Sequence, residues 1–125
     1  MLSNVPNSRS ITGFKAAFKI LKSWECNDQQ IQKILSLDDT SFLIFKANPE
    51  KAELTNEQFT RISYLLNMHS VLRSLFNNPT NTTDFMRMIN DNEFFEGRAP
   101  LDVIDSGEIE DLANTANQIN KFFVV

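Results

Sequence analysis

Apolar residues along this chain recur at spacings of three and four, and no stretch alternates polar with apolar for long, so the pattern predicts α-helix nearly throughout. Phe14, Ala17, Phe18, Ile20, Leu21 and Trp24 share one arc of a helical wheel, which places a first helix at about Ser10 to Trp24 with Lys15, Lys19 and Lys22 beside that arc. Asn27 with Gln30 has the spacing of a capping box and opens a short helix with Ile31, Ile34 and Leu35. After the Ser36-Leu37-Asp38 turn, Asp38 or Asp39 caps a third helix carrying Phe42, Leu43 and Phe45, which stops at Asn48-Pro49 because the residue before a proline is pushed out of helical angles.

Thr55 with Gln58 opens the longest segment, to about Phe76. Phe59, Ile62, Leu65, His69, Leu72 and Phe76 line one arc, and Tyr64, Met68, Val71 and Leu75 line a second, so little polar surface remains. Such a helix is expected to be central to the fold or covered by a partner, and it leans towards a homodimer. Asn77-Asn78-Pro79 breaks it, and a fifth helix follows from Thr82 to Ile89 with Phe85, Met86 and Ile89 inward. Asn90 to Pro100 reads as irregular, and Leu101 to Ile104 as a short turn of helix. Ser106 is placed to cap a last helix whose Ile109, Leu112, Ala113, Ala116, Ile119 and Phe123 align. There is no internal repeat, low-complexity tract or long linker, and 125 residues suit one domain.

The net charge of −4 argues against a general nucleic-acid binder, but the charge is uneven: residues 1–24 carry +4, residues 25–89 carry −2 and residues 90–125 carry −6. The first segment suits phosphate and the last suits a basic partner. Cys26 is the single cysteine, which excludes an internal disulfide and fits a reducing cytoplasm. The polar start, Met1 to Ser10, and the lack of a long apolar run imply neither secretion nor a membrane span.

Catalytic chemistry finds little to work with. His69 is the only histidine and sits on an apolar arc, where a packed, hydrogen-bonded core residue is the expected role. One His and one Cys cannot supply a zinc site, and three scattered glycines make no phosphate loop, so neither an enzyme nor a metal or cofactor is expected. Asp28 to Lys46 has helix-turn-helix spacing, but its second helix begins Asp38-Asp39 and offers Lys46 as its only cation, with Phe42, Leu43, Ile44 and Phe45 better suited to packing than to base edges. Lys15, Lys19, Lys22 and Lys46 are the candidate DNA contacts; a solvated helix face is the plainer reading of the first three. At the other end, Phe122 points off the last helix's arc, and with Phe123, Val124 and Val125 it forms either a partner surface or a tail folded onto its own domain.

Phe85, Asn90, the pair Phe94-Phe95, the run Gly97-Arg98-Ala99-Pro100-Leu101-Asp102, then Ile104 and Gly107, resemble the toxin-binding domain of the Xre/MbcA/ParS antitoxin family. Leu54 to Phe76, with Arg61, Leu65 and Leu66, looks like the long helix that precedes that domain, and the stretch from Trp24 to Lys46 is similar to the family's Xre-like region. The resemblance implies an all-α, compact multi-helix single domain, with an Xre-like helix-turn-helix part at 1–53 and a toxin-binding part at 54–125. It also implies a partner, typically a RES-domain toxin that consumes NAD and is held inactive by occlusion. The contact is expected on Phe122, Phe123, Val124 and Val125, with the acidic Glu108, Glu110 and Asp111 facing basic groups of a phosphate-binding pocket. Gly97 is expected to permit a backbone angle or a close approach closed to other residues, Pro100 to fix the start of the turn, and Asp102 to accept backbone N–H groups there, the alternative for Asp102 being a pair with an Arg across the interface. Two departures stand out: Phe85 replaces a Trp common in the family, and Ser36-Leu37-Asp38 is more acidic and lacks a turn glycine, which counts against reading of its own promoter. A DNA-binding transcriptional regulator is the competing function.

Overall fold

Polar residues at five places in the chain start or stop helices in the computed structural model, which describes residues 4–123. The seven α-helices among these residues are α1 (Asn4–Ser23), α2 (Asp28–Leu35), α3 (Asp39–Ala47), α4 (Asn56–Leu75), α5 (Pro79–Arg87), α6 (Pro100–Ile104) and α7 (Ile109–Phe123), with a 3-10 turn at Pro49–Lys51. Both expected capping boxes form: Asn27 and Gln30 bond each other's backbone N–H groups at the start of α2, and Thr55 and Gln58 do so for α4. Asp38, rather than Asp39, caps α3 by accepting from the Ser41 backbone at 2.7 Å.

Two boundaries move. Helix α1 begins six residues earlier than Ser10, at Asn4, because Pro6 falls in the first turn, where no intrahelical N–H is needed. Helix α5 begins at Pro79 and not Thr82: the proline that ends α4's segment serves as the first residue of α5, with Asn78 capping the Thr80 N–H at 2.8 Å. The helix then ends at Arg87, which leaves Ile89 in the following loop and 72% exposed, so it is not inward.

The chain folds as one domain with an all-α helix-turn-helix-like N-terminal part. Helix α4 is its axis, packed by α1, α2, α5 and α7. Ile62, Leu65, Met68, Val71 and Leu72 are buried there among Phe14, Leu21, Trp24, Met86, Leu112 and Ile119. Both apolar strips of α4 are thus covered largely by the same chain, which removes the reason for a homodimer that its pattern supplied. Cys26 is buried, and burial pushes its thiol up to about 11, so it stays a neutral core group at physiological pH.

The turn between α2 and α3 closes as a Schellman motif: the Ser36 N–H donates to Lys33 O, the Leu37 N–H donates to Gln32 O, and Leu37 is buried beneath. Ser36 holds φ at 59°, the left-handed region where a glycine usually stands. We expect Ser36→Gly to stabilise the domain by about 1 kcal/mol, read by urea unfolding, because the Cβ penalty of that conformation disappears.

Candidate functional site

A buried arginine joins the helix-turn-helix to the C-terminal part. Arg61, in the stripe of α4 that continues through Leu65, Met68 and Leu72, is 5% exposed. Its Nη1 donates to Ile34 O at 3.0 Å and to Gly107 O at 2.8 Å, and its Nε donates to Glu57 Oε1 at 3.2 Å. One guanidinium therefore satisfies the end of α2 and the loop before α7 together. Gln58 adds a bond from its Nε2 to Ser36 O at 2.9 Å.

Gly107 sits against this arginine at φ +78°, and a Cβ there would lie 2.8 Å from Lys33 Cγ and 3.2 Å from Lys33 O. The side chain of Lys33 can move; its carbonyl, in α2, cannot do so cheaply. Gly107→Ala is expected to cost about 2 kcal/mol of stability, from left-handed strain together with that contact, as measured by thermal unfolding.

The other motif residues shape the irregular segment. The Asn90 N–H donates to Arg98 O at 3.1 Å and the Gly97 N–H returns to Asn90 O at 2.9 Å, while Asn90 Oδ1 accepts from the Asn92 N–H. Gly97 holds φ +82°, as a left-handed turn requires. Arg98 bonds the carbonyls of Phe94 and Phe95, and Phe95 is fully buried. Pro100 opens α6 and is buried with Leu101 and Ile104. Asp102 does not hold backbone N–H groups of the turn: it is exposed, and among the described residues its carboxylate accepts no hydrogen bond, while its own N–H donates to Ala99 O.

The acidic candidates and the tail lie at opposite ends of α7, about 20 Å apart for a helix of this length. Glu108 and Glu110 are exposed, and Asp111 accepts from the Ser106 hydroxyl at 2.6 Å. Ser106 Oγ accepts from the N–H of Glu108, the residue just before α7, so it fastens the loop and is not the cap residue of the helix. At the far end, Phe122 is 40% exposed, with its ring edge-on to Phe85 at 5.8 Å, and Phe85 meets Phe76 at 6.0 Å. Phe123 ends α7, and Val124 and Val125 lie outside the described residues.

Sequence reasoning missed what surrounds that aromatic trio. Through these rings the C-terminal ends of α4, α5 and α7 meet, and Leu75 at the end of α4 and Met88 and Ile89 just past α5 are exposed. The signal lay in Met88-Ile89, two adjacent large apolar residues that on one helix would point in different directions. A second exposed apolar pair, Leu43 and Ile44, occupies the outer face of α3, so only Phe42 and Phe45 of that helix pack inward.

Of the candidate DNA contacts, Lys15 pairs with Glu50 at 3.0 Å, while Lys22, at 3.8 Å, and Lys46 both pair with Asp28. The Lys46 hydrogen bond is the main cause that holds the Asp28 carboxyl below its ordinary value of 3.8. Lys19 stands apart from these pairs and lines a cavity with His69 and Arg73. His69 is half-buried and makes no hydrogen bond among the described residues, in contrast to the packed, bonded core histidine expected. Among the described residues, no helix is long and apolar enough to cross a membrane, and no group of His, Cys, Asp and Glu is arranged to hold a metal.

Comparison with known proteins places this geometry among relatives. The antitoxin Xre-like helix-turn-helix domain matches residues 9–67, that is, from α1 into the middle of α4. An uncharacterized protein of Sinorhizobium fredii, y4oB, is 30% identical over 99 residues, spanning 78% of this chain and 74% of that protein.

Proposed function

The chain belongs to the Xre-type antitoxin family, and on that footing we propose that it neutralises a NAD-consuming RES-domain toxin by covering it with the aromatic end of its C-terminal helices. The observation that carries this reading is the contact of the Phe76, Phe85 and Phe122 rings at the ends of α4, α5 and α7, with Leu75, Met88 and Ile89, next to those ends in sequence, exposed. Large exposed apolar groups gathered at one place are the usual mark of a protein contact, and aromatic and Met side chains are enriched in such contacts. Phe123, Val124 and Val125 follow Phe122 in sequence and are apolar as well. Glu108, Glu110 and Asp111, a helix length away, serve as a second, electrostatic contact that steers basic groups of the toxin. The regions 1–53 and 54–125 act as one unit, because Arg61 and Gln58 tie the helix-turn-helix turn to α4. The protein itself carries out no reaction.

A DNA-reading regulator is the second reading, favoured by the helix-turn-helix match. It is the weaker one, since three of its four candidate lysines already face carboxylates and the outer face of α3 presents Leu43 and Ile44 where a reading helix would present donors.

The test is co-expression with the neighbouring reading frame, followed by affinity purification and an assay of host NAD. The neighbour should co-purify and deplete NAD only when this protein is omitted, and deletion of 122–125 should leave the helical signal intact while protection fails. A harmless neighbour that does not co-purify, with salt-sensitive retention of promoter DNA by the free protein, would hand the function to the second reading.

A further inference from the structure

A cavity of about 650 Å³ lies between α1, α4 and α5. Its size is that of a small-molecule site. Its basic side is made by Lys19 of α1 and by His69 and Arg73 of α4, and neither Lys19 nor Arg73 takes part in an ion pair among the described residues. These groups crowd one another: burial first, then Arg73, then Lys19, hold the His69 imidazole below its ordinary value of 6.5. Two carboxylates also line the cavity. Glu25 is 3.7 Å from the Arg87 guanidinium, and Asp84 is exposed.

Polar and apolar walls complete the site. Ile20 and Leu66 provide an apolar surface. Thr82, which lines the cavity, is 3% exposed, and its hydroxyl has no hydrogen-bond partner, a cost that a buried group ordinarily avoids. The neighbouring Thr83 hydroxyl is already used, donating to Ser23 O at 2.7 Å. The backbone amides at the start of α5 are used as well: the Thr80 and Asn81 N–H groups both bond to Asn78, so an anion here would be held by side chains.

We propose that this cavity binds a small phosphate-bearing molecule, with its phosphate between Lys19 and Arg73 beside His69, and its remaining body on Ile20 and Leu66. A phosphate monoester carries close to two negative charges near neutral pH, which matches two permanent cations and a third group that can become one. It also supplies several strong acceptors for those cations. The recess suits a terminal phosphate better than the bridging phosphate of a nucleic-acid strand, which is flanked by sugar on both sides.

His69 is the only histidine of the chain, so its imidazole proton resonances report on this site alone. The full-length protein is titrated with phenyl phosphate, with inorganic phosphate and with a short DNA duplex. Phenyl phosphate is expected to move the His69 resonances saturably and to raise the pH midpoint of the imidazole, because a bound dianion favours the protonated form. Inorganic phosphate, which lacks the apolar body, should bind more weakly. Lys19→Met and Arg73→Met, both at exposed positions, should each weaken phenyl phosphate by about tenfold, as expected for one lost charge-assisted bond, and Asp84→Asn should tighten it. The proposal is overturned if phenyl phosphate produces no saturable shift at tens of millimolar, if both lysine and arginine variants bind as the parent does, or if only the DNA duplex moves His69.

Discussion

Replacing Arg61 with Ala is expected to cost about 3 kcal/mol of folding stability, because it orphans two carbonyls at once, Ile34 O and Gly107 O, in a region that water does not reach freely. The bond to Glu57 adds little, since that carboxylate is half-exposed and surface pairs are weak. For a domain of about this size the melting temperature should fall by roughly 15 °C. Arg61→Lys should recover only part of the loss, because one ammonium on a flexible stem lacks the fork that reaches both carbonyls and Glu57 together. Urea unfolding of the three proteins checks this: a loss below about 1 kcal/mol for the Ala variant would mean that the helix-turn-helix and the C-terminal helices are held together by apolar packing alone.

The double change Met88→Lys and Ile89→Lys should leave stability nearly untouched yet weaken toxin binding by about a hundredfold or more. Both residues are more exposed than half, at 63% and 72%, so the folded monomer loses almost no buried apolar surface when they change. In a complex that covers the aromatic end, the same two positions would carry desolvated ammonium groups facing apolar surface, a cost of several kcal/mol unless the toxin offers carboxylates. Isothermal titration with the purified toxin reads the affinity, and a melting curve of the free variant supplies the control. Full affinity in the double variant would move the contact to another face, with the Leu43 and Ile44 surface of α3 the next to be changed.

Helices were legible because their signals are local. Capping pairs at Asn27–Gln30 and Thr55–Gln58, and apolar spacing in α4 and α7, depend on residues three or four apart, and the structure carries them as read. Proline was misjudged at residue 79 because a break in one helix and the first turn of the next look alike in sequence; only the side chain of Asn78, turned onto the Thr80 amide, separates them. The outward turn of Leu43, Ile44 and Ile89 was not legible for a different reason. An apolar side chain carries no mark of whether its cover is its own chain or another, and helices as short as α3 and α5 give too few turns to fix an arc.

Arg61 lay between these cases. A charged residue at a position of the buried stripe 61, 65, 68 and 72 signals an anchored polar group, but its partners, Ile34 and Gly107, are distant in sequence and are carbonyls of the main chain, which sequence cannot label. The family motif behaved similarly: Asn90, Gly97 and Gly107 build the loops that bring α7 against α4, whereas the exposed apolar surface belongs to residues outside the motif. Residues such as Asn90, Gly97 and Gly107 shape the scaffold, and a scaffold motif does not by itself specify a partner surface.

Hydrogen exchange of the full-length protein, free and with the purified toxin, tests the docking surface most directly. The account expects slowed exchange on binding in the last turn of α4, from Phe85 to Ile89 and through the last turns of α7, with α2 and α3 unchanged. Protection confined to α2 and α3, with the ends of α4, α5 and α7 exchanging as in the free protein, would contradict it.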